Sequence, residues 1–401
     1  MSERAAASGP FPGRLALQQR VLPTYRLPFF EALAASCQGG LTVFAGQPAA
    51  GESITSLDPL SGAQPASNLS LYFTSNRQWR TPSSPFYLCW QARLVKWLAQ
   101  EDPATLIVEA NPRIRSTPAA IRWMQARQRP VLGWGLGAPA PHGPLADLRG
   151  RGWPRFLSQF DALIAYSTLG AEQYRLQGFP AERIFVAPNA VTHRPDGPIP
   201  VRAGSIGKDP VGAGSEPAPT QPVPTVLFVG RLQARKRIED LLHAAAALPA
   251  AIQPRLQVVG DGPVRPALQA LAMEVYPSAE FPGERTGADL EPYFTAADLF
   301  VLPGTGGLAV QQAMAHGLPV IAAQGDGTLD ALIRPANGWR VPPADLPALT
   351  AVLQTALSDI PRLRRMGTES YRIVSEEVNL EIMVDTFIDA LIKLPKIANS
   401  G

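Results

Sequence analysis

The stretch 303–320, with the sequence PGTGGLAVQQAMAHGLPV, constrains the fold more than any other part of the chain. The run before it, 298–302, predicts a buried strand. The Pro and Gly residues that follow predict a tight turn, and 308–316 has helical spacing that ends at Gly317. A helix start leaves free backbone N–H groups and a partial positive charge, which favours an anion such as a diphosphate. An ordinary strand-to-helix connection in an α/β domain gives the same pattern, so the turn alone does not identify a ligand site.

The rest of the chain alternates strands and helices in the same way, which predicts α/β domains with doubly wound parallel sheets. The predicted strands lie at 15–21, 41–45, 69–73, 105–109, 131–134, 160–165, 184–187, 225–229, 255–259, 298–302, 319–322 and 338–341. The predicted helices lie at 28–36, 86–98, 118–127, 169–177, 238–248, 265–274, 289–296, 308–316, 346–357, 360–376 and 380–392.

One segment interrupts this alternation. Residues 193–224 contain eight prolines and five glycines, almost no large apolar side chains and no periodicity. Such a segment does not bury enough surface to offset its chain entropy, so we predict a flexible linker. It divides the 401 residues into a first domain at 1–192 and a second at 225–401, whose last helix could cross back to the first. Two such domains place a cleft between them, the usual position of a ligand.

Composition excludes several functional classes. Two cysteines, Cys37 and Cys89, provide no disulfide framework, and the four histidines show no metal-ligand spacing, so we expect neither a metal nor another cofactor. The N-terminus lacks the apolar core of a signal peptide, and no run approaches the roughly 18 apolar residues of a membrane helix. The expected location is the cytoplasm.

Charge is uneven along the chain. The net charge is only +3, but residues 1–190 contain 18 Lys and Arg against 11 Asp and Glu, and nearly all of these cations are arginines. The excess favours an anionic partner for the first domain, such as a phosphate-bearing acceptor or an acidic membrane surface, although solvated helix faces give the same count. No recognised nucleic-acid motif accompanies the charge, so nucleic acid is not an expected partner.

Two more glycine turns occur in the second domain. Each follows a predicted strand, and the turns are Gly230-Arg231-Leu232 and Gly260-Asp261-Gly262. Because the carboxyl ends of parallel strands meet at one edge of a sheet, we expect Arg231 and the nearby Lys236 to lie beside the turn in 303–320. Arg binds a diphosphate in fork geometry and Lys acts as a point charge, so these residues predict a diphosphate site. A solvated basic surface that includes Arg235 and Arg237 is the alternative.

Four segments of the second domain resemble the successive motifs of the retaining family-4 (group 1) glycosyltransferases. They are VGRLQARKRIEDLLHAA, VVGDGP, PGTGGLAVQQAMAHGLPVIA and NGWRVPPAD, and the resemblance extends over about 225–392. In the first domain, DALIAYSTLGAEQYRLQGFPAERIFVAPNAV is similar to the last first-domain segment of that family, and QQRVLPTYRLPFFEALA to an opening seen in some members. The resemblance implies a GT-B architecture of two Rossmann-like domains with a cleft between them.

The resemblance also implies an activity. Members transfer a sugar from a nucleotide-sugar donor, held by the second domain, to an acceptor at the first, with retention of anomeric configuration and without a metal. The cations that neutralise the leaving diphosphate correspond to Arg231 and Lys236, our catalytic candidates. The donor-binding candidates are Gly230, Gly262, Gly306, Gly307, Leu308, Gln312 and Asp330. The acceptor-side candidates are Tyr25 and Arg26, which are otherwise ordinary turn residues.

This chain departs from the family pattern at three positions. Members usually have two Glu residues eight positions apart across the turn and helix, where this chain has Gly304 and Gln312. Many also have a histidine beside a glycine where this chain has Leu136. The Gln312 amide can still hydrogen-bond a ribose hydroxyl, but Gly304 has no side chain to contribute. The donor is then bound differently, or the site is weakened or inactive.

The predicted helix at 86–98 brings Phe86, Trp90 and Trp97 roughly into register and also carries basic residues. Such a helix would contact a membrane surface, or pack its aromatic side chains into the core. We therefore expect possible peripheral contact with the inner face of a membrane.

The sequence favours a glycosyltransferase of hexosyltransferase type that acts on a glycan or lipid-linked acceptor, as in polysaccharide biosynthesis. The alternative is a non-catalytic glycosyltransferase-like protein that binds a nucleotide sugar or a partner without turnover. The departures at Gly304 and Leu136 favour that alternative, and the retained Arg231 and Lys236 disfavour it. A GT-B sugar epimerase matches the motifs less well.

Overall fold

The computed structural model of the chain describes residues 9–394, except residues 50, 51, 53–55, 58–66, 83, 140–149, 198, 200–222 and 326. Contacts divide the chain into two compact units. The first consists of Met1–Val191 together with Leu380–Gly401, and the second of Thr192–Asn379. Most of the predicted linker at 193–224 lies outside the described residues, so its flexibility stays a prediction.

Seven parallel strands form the sheet of the first unit. The strands of this unit are β1 (Leu15–Gln19), β2 (Leu41–Gly46), β3 (Leu69–Thr74), β4 (Asn76–Trp79), β5 (Leu88–Gln91), β6 (Thr105–Glu109), β7 (Val131–Gly135), β8 (Ala162–Ala165) and β9 (Ile184–Val186). The order across the sheet is β3-β2-β1-β6-β7-β8-β9, and each neighbouring pair is parallel. Strands β1, β2 and β7 are buried along their whole length, as a parallel sheet covered by helices on both faces requires.

The helices of the first unit come from both ends of the chain. They are α1 (Leu27–Ala35), α2 (Leu94–Glu101), α3 (Thr117–Gln125), α4 (Trp153–Leu157), α5 (Thr168–Leu176) and the last helix, Leu380–Ile392. The last helix contributes Phe387, whose ring lies 5.0 Å from the rings of both Phe29 and Trp134. A separate core cluster contains Trp97 of α2, 5.0 Å from Phe44. The last helix is therefore a core element of the first unit.

The predicted helix at 86–98 is wrong, because the segment is a strand, a turn and the start of a shorter helix. Leu88–Gln91 forms β5, which pairs antiparallel with β4. Burial alternates with period two along this strand, so Cys89 is buried while Trp90 is 41% exposed. Arg93, in the left-handed conformation with φ 68°, separates the strand from α2. The helical spacing of Trp90 and Trp97 in the sequence is therefore a coincidence, because the two residues belong to different elements, β5 and α2.

Six parallel strands form the sheet of the second unit. They are β10 (Thr225–Val229), β11 (Arg255–Val259), β12 (Glu280–Gly283), β13 (Leu299–Leu302), β14 (Val320–Ala323) and β15 (Gly338–Val341), in the order β12-β11-β10-β13-β14-β15. The helices are α6 (Ile238–Ala246), α7 (Arg265–Val275), α8 (Glu291–Ala296), α9 (Leu308–Ala315), α10 (Leu346–Leu357) and α11 (Ile360–Glu376). Both units are Rossmann-like, which confirms the predicted α/β class.

Two short elements were not predicted, in addition to β4 and β5 of the hairpin. The edge strand β12 has the sequence EFPG, whose Pro and Gly residues obscure a strand pattern, and α4 has only five residues. In the portion of the chain that the structure describes, no helix is both long enough and apolar enough to span a bilayer.

Candidate functional site

Three glycine turns lie side by side at the carboxyl edge of the sheet in the second unit. The turns after β10 and β11 are joined by the backbone N–H of Leu232, which donates to the carbonyl of Asp261 at 2.8 Å. The turn after β13 is joined to the segment after β10 by the N–H of Thr305, which donates to the carbonyl of Arg235 at 3.0 Å. This edge therefore brings together the three segments that the sequence singled out.

Close packing of the first two turns depends on glycine. A Cβ on Gly260 would lie 2.0 Å from the carbonyl oxygen of Gly230, and a Cβ on Gly262 would lie 2.2 Å from that of Leu232. Gly260 and Gly262 also have φ angles of 142° and 159°, which residues with side chains rarely adopt. Gly262, a predicted donor-binding residue, thus already has a structural role, because it allows two turns to touch.

Lys236 lies against the turn after β13. Its Nζ is 2.6 Å from the point that a Cβ on Gly306 would occupy, and Arg235 Nη1 is 3.4 Å from the same point. Gly306 has φ 95°, a backbone conformation that residues with side chains rarely adopt. The predicted catalytic Lys236 and the predicted donor-binding Gly306 are neighbours. Arg235, which the sequence interpretation treated as a surface cation, lies beside them.

The Lys236 ammonium is a partly desolvated cation. Burial, followed by the positive charge of Arg235, lowers the pKa of Lys236 to about 8. None of the carboxylates that the structure describes forms an ion pair with it. At neutral pH the group remains mostly protonated, so an anion placed at the Gly306 turn would supply a counter-charge that no described carboxylate supplies.

The same turn leads directly into α9. Gly307 is the N-cap of this helix and makes no side-chain capping bond. A Cβ on Gly307 would lie 2.5 Å from Leu329 Cδ2, so a larger residue at the cap would displace the Leu329 side chain. The helix start at Leu308 therefore presents backbone N–H groups and a partial positive charge at the turn. Arg231, exposed in the turn after β10, adds a full charge to this edge of the sheet.

Gly304 stands at the first of the two positions where the sequence resemblance implies a Glu. A Cβ at this position would lie 2.2 Å from the carbonyl oxygen of Arg235, so the backbone that presents Lys236 fills the space of a side chain. Gln312, at the second position where the resemblance implies a Glu, is half-buried on α9. Its neighbour Gln311 is the structural amide, since it is buried and donates to a backbone carbonyl at 3.0 Å. Glycine at position 304 thus allows the turn after β13 to touch the backbone at Arg235.

Asp330, another of the donor-binding candidates, already forms an ion pair within the second unit. Its carboxylate forms an ion pair with Arg340 on β15. Both side chains are well exposed, so the pair contributes little to stability. The carboxylate of Asp330 is nevertheless already paired with Arg340.

A cavity of about 910 Å³ lies in the first unit, at the carboxyl ends of β1, β6 and β7. Its wall is rich in aromatic side chains, among them Tyr25, Trp79, Trp134 and Trp153. A volume of this size is within the range of small-molecule sites, roughly 300–1,000 Å³. The acceptor-side candidates Tyr25 and Arg26 both line this cavity.

Arg26 is held rigidly in the cavity wall. Its guanidinium lies 4.5 Å from the ring centroid of Trp134 and donates to the Tyr166 hydroxyl at 3.0 Å. The side chain is only 8% exposed, and its Nη1 has no hydrogen-bond partner within the described structure. Arg26 is therefore a structural residue of the wall as well as a cation beside the cavity.

The cavity also contains a carboxyl group that sequence inspection did not single out. Glu109 Oε1 accepts a hydrogen bond from the backbone N–H of Arg20 at 2.6 Å. Burial raises the pKa of Glu109, against the opposing effects of that hydrogen bond and of the Arg20 and Arg26 charges. Its position at the carboxyl end of a buried strand was the signal that could have identified it.

Leu136 stands where the sequence resemblance implies a histidine. Its side chain is 51% exposed and lines the cavity. The next residue, Gly137, has φ 118° and donates its N–H to the Tyr174 hydroxyl at 3.2 Å. This turn therefore presents the apolar side chain of Leu136 to the cavity.

Comparison with known proteins agrees with the motif reading of the second unit. Residues 223–359 match the family model described as glycosyl transferases group 1. The chain is 38% identical over 155 residues to a GDP-mannose-dependent alpha-mannosyltransferase of Mycolicibacterium smegmatis, which covers 38% of each chain. It is 31% identical over 246 residues to a D-inositol 3-phosphate glycosyltransferase of Xylanimonas cellulosilytica, which covers 56% of each chain. The chain thus matches well under two thirds of the length of these relatives.

Solved structures extend the likeness to both units. HepE of Anabaena, solved in complex with UDP, superimposes with a TM-score of 0.66 and 16% sequence identity, over 95% of this chain and all of the other. At this identity the likeness concerns the fold alone. The chain therefore has the GT-B type of fold with two Rossmann-like units, and its segment 223–359 matches the model of the group 1 glycosyltransferases.

Proposed function

We propose that this protein is a glycosyltransferase that moves a sugar from a nucleotide-sugar donor to an acceptor, with retention of anomeric configuration. The observation that carries the proposal is the position of Lys236, a partly buried ammonium packed against the Gly306 turn with no carboxylate paired to it in the described structure. The matched family model and the named activities of the relatives support it.

In this proposal the second unit holds the donor. Cleavage of the bond between sugar and diphosphate leaves growing negative charge on the diphosphate oxygens. Lys236, with Arg231 and Arg235 nearby, would neutralise that charge, and the N–H groups at Gly306, Gly307 and Leu308 would add hydrogen bonds. Because these groups are fixed before the reaction, they stabilise the leaving group without reorganising.

We propose that this charge neutralisation needs no metal or other cofactor. Three cationic side chains and a helix N-terminus would take the place that a divalent cation has in other diphosphate sites. Addition of a chelator should therefore leave turnover unchanged. Restoration of lost activity by a divalent cation would contradict this part of the proposal.

The acceptor would bind in the cavity of the first unit, and its class would be a glycan or a lipid-linked glycan. The aromatic walls suit the apolar faces of sugar rings, while Arg26 and Glu109 supply polar contacts. The proposed location is cytoplasmic, with peripheral contact at the inner face of the membrane.

The test is release of nucleoside diphosphate from a panel of UDP- and GDP-sugars, with and without candidate acceptors. Lys236→Ala should reduce release by roughly 100-fold, the order expected when one charge-stabilising donor is removed. Lys96→Ala, which removes an exposed lysine on α2, is the matched control and should behave like the wild type. The configuration of the product, read by NMR, tests retention. Tight donor binding without any release would instead support the non-catalytic alternative.

A further inference from the structure

The hairpin of β4 and β5 has an outward face that combines tryptophan and arginine. Arg77 pairs directly with Trp90, and Trp79 pairs with Leu88, so these four side chains share one face of the hairpin. Trp79 is 52% exposed and Trp90 is 41% exposed. A contiguous patch of exposed apolar side chains on a protein surface commonly marks an interaction site. We call Arg77, Trp79, Leu88 and Trp90 the outer hairpin face.

The opposite face fixes the hairpin to the body of the first unit. Gln91 is buried and donates to the carbonyl of Gln19 at 2.9 Å, while Asn76 donates to the carbonyls of Arg20 and Gln47 at 2.8 and 2.9 Å. Buried side-chain hydrogen bonds of this kind are costly to break, so they hold the hairpin in one position. The exposure of the two tryptophans is therefore a property of the folded unit.

The hairpin region is purely basic. The sequence contains no Asp or Glu between Asp58 and Glu101, whereas Arg77, Arg80, Arg93 and Lys96 fall in this interval and are all exposed. The guanidinium of Arg80 lies 5.0 Å from the ring centroid of Trp79. No ion pair to these four cations occurs within the residues that the structure describes. A partner of complementary charge for the hairpin region would carry negative charge.

We propose that the outer hairpin face docks on an anionic lipid bilayer. Tryptophan is favoured at the boundary between headgroups and acyl chains, and arginine can bury its aliphatic stem there while its charge remains with the phosphates. The number of cations is enough for reversible binding, since each contributes about 1 kcal/mol near an anionic surface. The low net charge of the whole chain, +3, fits a local membrane contact better than a nucleic-acid footprint.

This surface is continuous with the cavity of the first unit, because Trp79 and Leu88 line that cavity as well. A bilayer on the outer hairpin face would bring its headgroup layer to the cavity mouth. The purpose of this docking rests on the proposed function, because a lipid-linked acceptor would enter the cavity from the headgroup layer. The docking itself requires no turnover and can be measured separately.

Flotation with vesicles tests the inference. The wild-type protein should bind vesicles of phosphatidylcholine mixed with phosphatidylglycerol, and should bind vesicles of phosphatidylcholine alone much less. Loss of one cation should weaken binding roughly fivefold, so the double variant Arg77→Gln with Arg80→Gln should bind roughly 25-fold less. Trp90→Ala should also weaken binding, and added salt should reduce what remains.

A double variant with the same loss of charge outside this region, Arg285→Gln with Arg365→Gln, is the control and should bind as the wild type does. Equal binding by the hairpin variants, or preference for RNA or an acidic polypeptide over the anionic vesicles, would overturn the inference. Arg77 and Arg80 do not line the cavity and belong to the unit that does not contain Lys236, so donor hydrolysis in solution should be unchanged in the double variant. Vesicle binding without any turnover would refute the proposed function and leave the docking surface intact.

Discussion

Replacing Lys236 with methionine separates the stability cost of a buried cation from its value in binding. The pKa of Lys236 is lowered from 10.5 to about 8 in the folded protein. At about 1.4 kcal/mol per pKa unit, the charged form destabilises the fold by at most about 3 kcal/mol. Because the side chain is only half-buried, solvent screening should reduce this to roughly 1–2 kcal/mol.

The direction with pH follows from the two pKa values. The pKa of Lys236 is lower in the folded protein than in the unfolded chain. The charged side chain therefore destabilises the fold by its full amount below about pH 8, and this loss of stability disappears as the pH rises towards 10.5. Near neutral pH and without ligand, Lys236→Met should therefore raise the melting temperature. For a unit of this size, 1–2 kcal/mol corresponds to roughly 2–8 °C. Near pH 10.5 the variant and the wild type should melt together.

A nucleoside diphosphate should reverse this ranking. In the wild type the diphosphate supplies the missing counter-charge, so its addition should raise the melting temperature clearly, whereas the Lys236→Met variant should gain much less. Differential scanning calorimetry with and without UDP or GDP measures both effects. Lys96→Met controls for the change in side-chain chemistry. A Lys236→Met variant that melts at or below the wild type without ligand, yet gains as much from the diphosphate, would refute the reasoning.

Three further predictions concern single residues, two in the second unit and one in the first. Gly304→Ala places a Cβ 2.2 Å from the carbonyl of Arg235 and should destabilise the protein by roughly 1–3 kcal/mol in thermal denaturation, whereas Gly325→Ala, where a Cβ meets nothing within 4 Å, should not. Gln312→Ala should reduce nucleoside diphosphate release less than Lys236→Ala, and the opposite ranking in the same assay would count against the proposed leaving-group site. Arg26→Gln should lower the ratio of transfer to donor hydrolysis, measured by product chromatography, because the cavity wall loses its fixed cation.

The second unit was predictable because its signals were local and consistent. Strand, turn and helix patterns followed one another around Gly230 and Gly306, and each agreed with the period expected of its element. What the sequence could not reveal was the packing at Gly304. The carbonyl of Arg235, some seventy residues earlier, fills the space that a side chain at position 304 would need. Only three-dimensional packing reveals such a contact.

The first unit was less predictable where two elements met in a short stretch. Phe86, Trp90 and Trp97 have spacings that fit a helix, but β5 and α2 divide them at Arg93. As a result only Trp97 belongs to the core, while Trp90 is exposed. Glu109 was missed for another reason, since a single acidic residue at a strand end carries no motif. Its significance appears only when the folded sheet places it in the same cavity as Arg26.

The membership of the last helix in the first unit has a consequence for biosynthesis. Phe387 completes the aromatic cluster of Phe29 and Trp134, so this cluster stays open until residue 387 has left the ribosome. The second unit, Thr192–Asn379, is continuous in sequence and can fold while translation continues. Of the two units, the one that begins earlier in the chain is thus completed later. A fragment that ends before residue 380 should expose its unfinished face to chaperones and proteases, whereas a fragment limited to residues 192–379 should be the one that survives on its own.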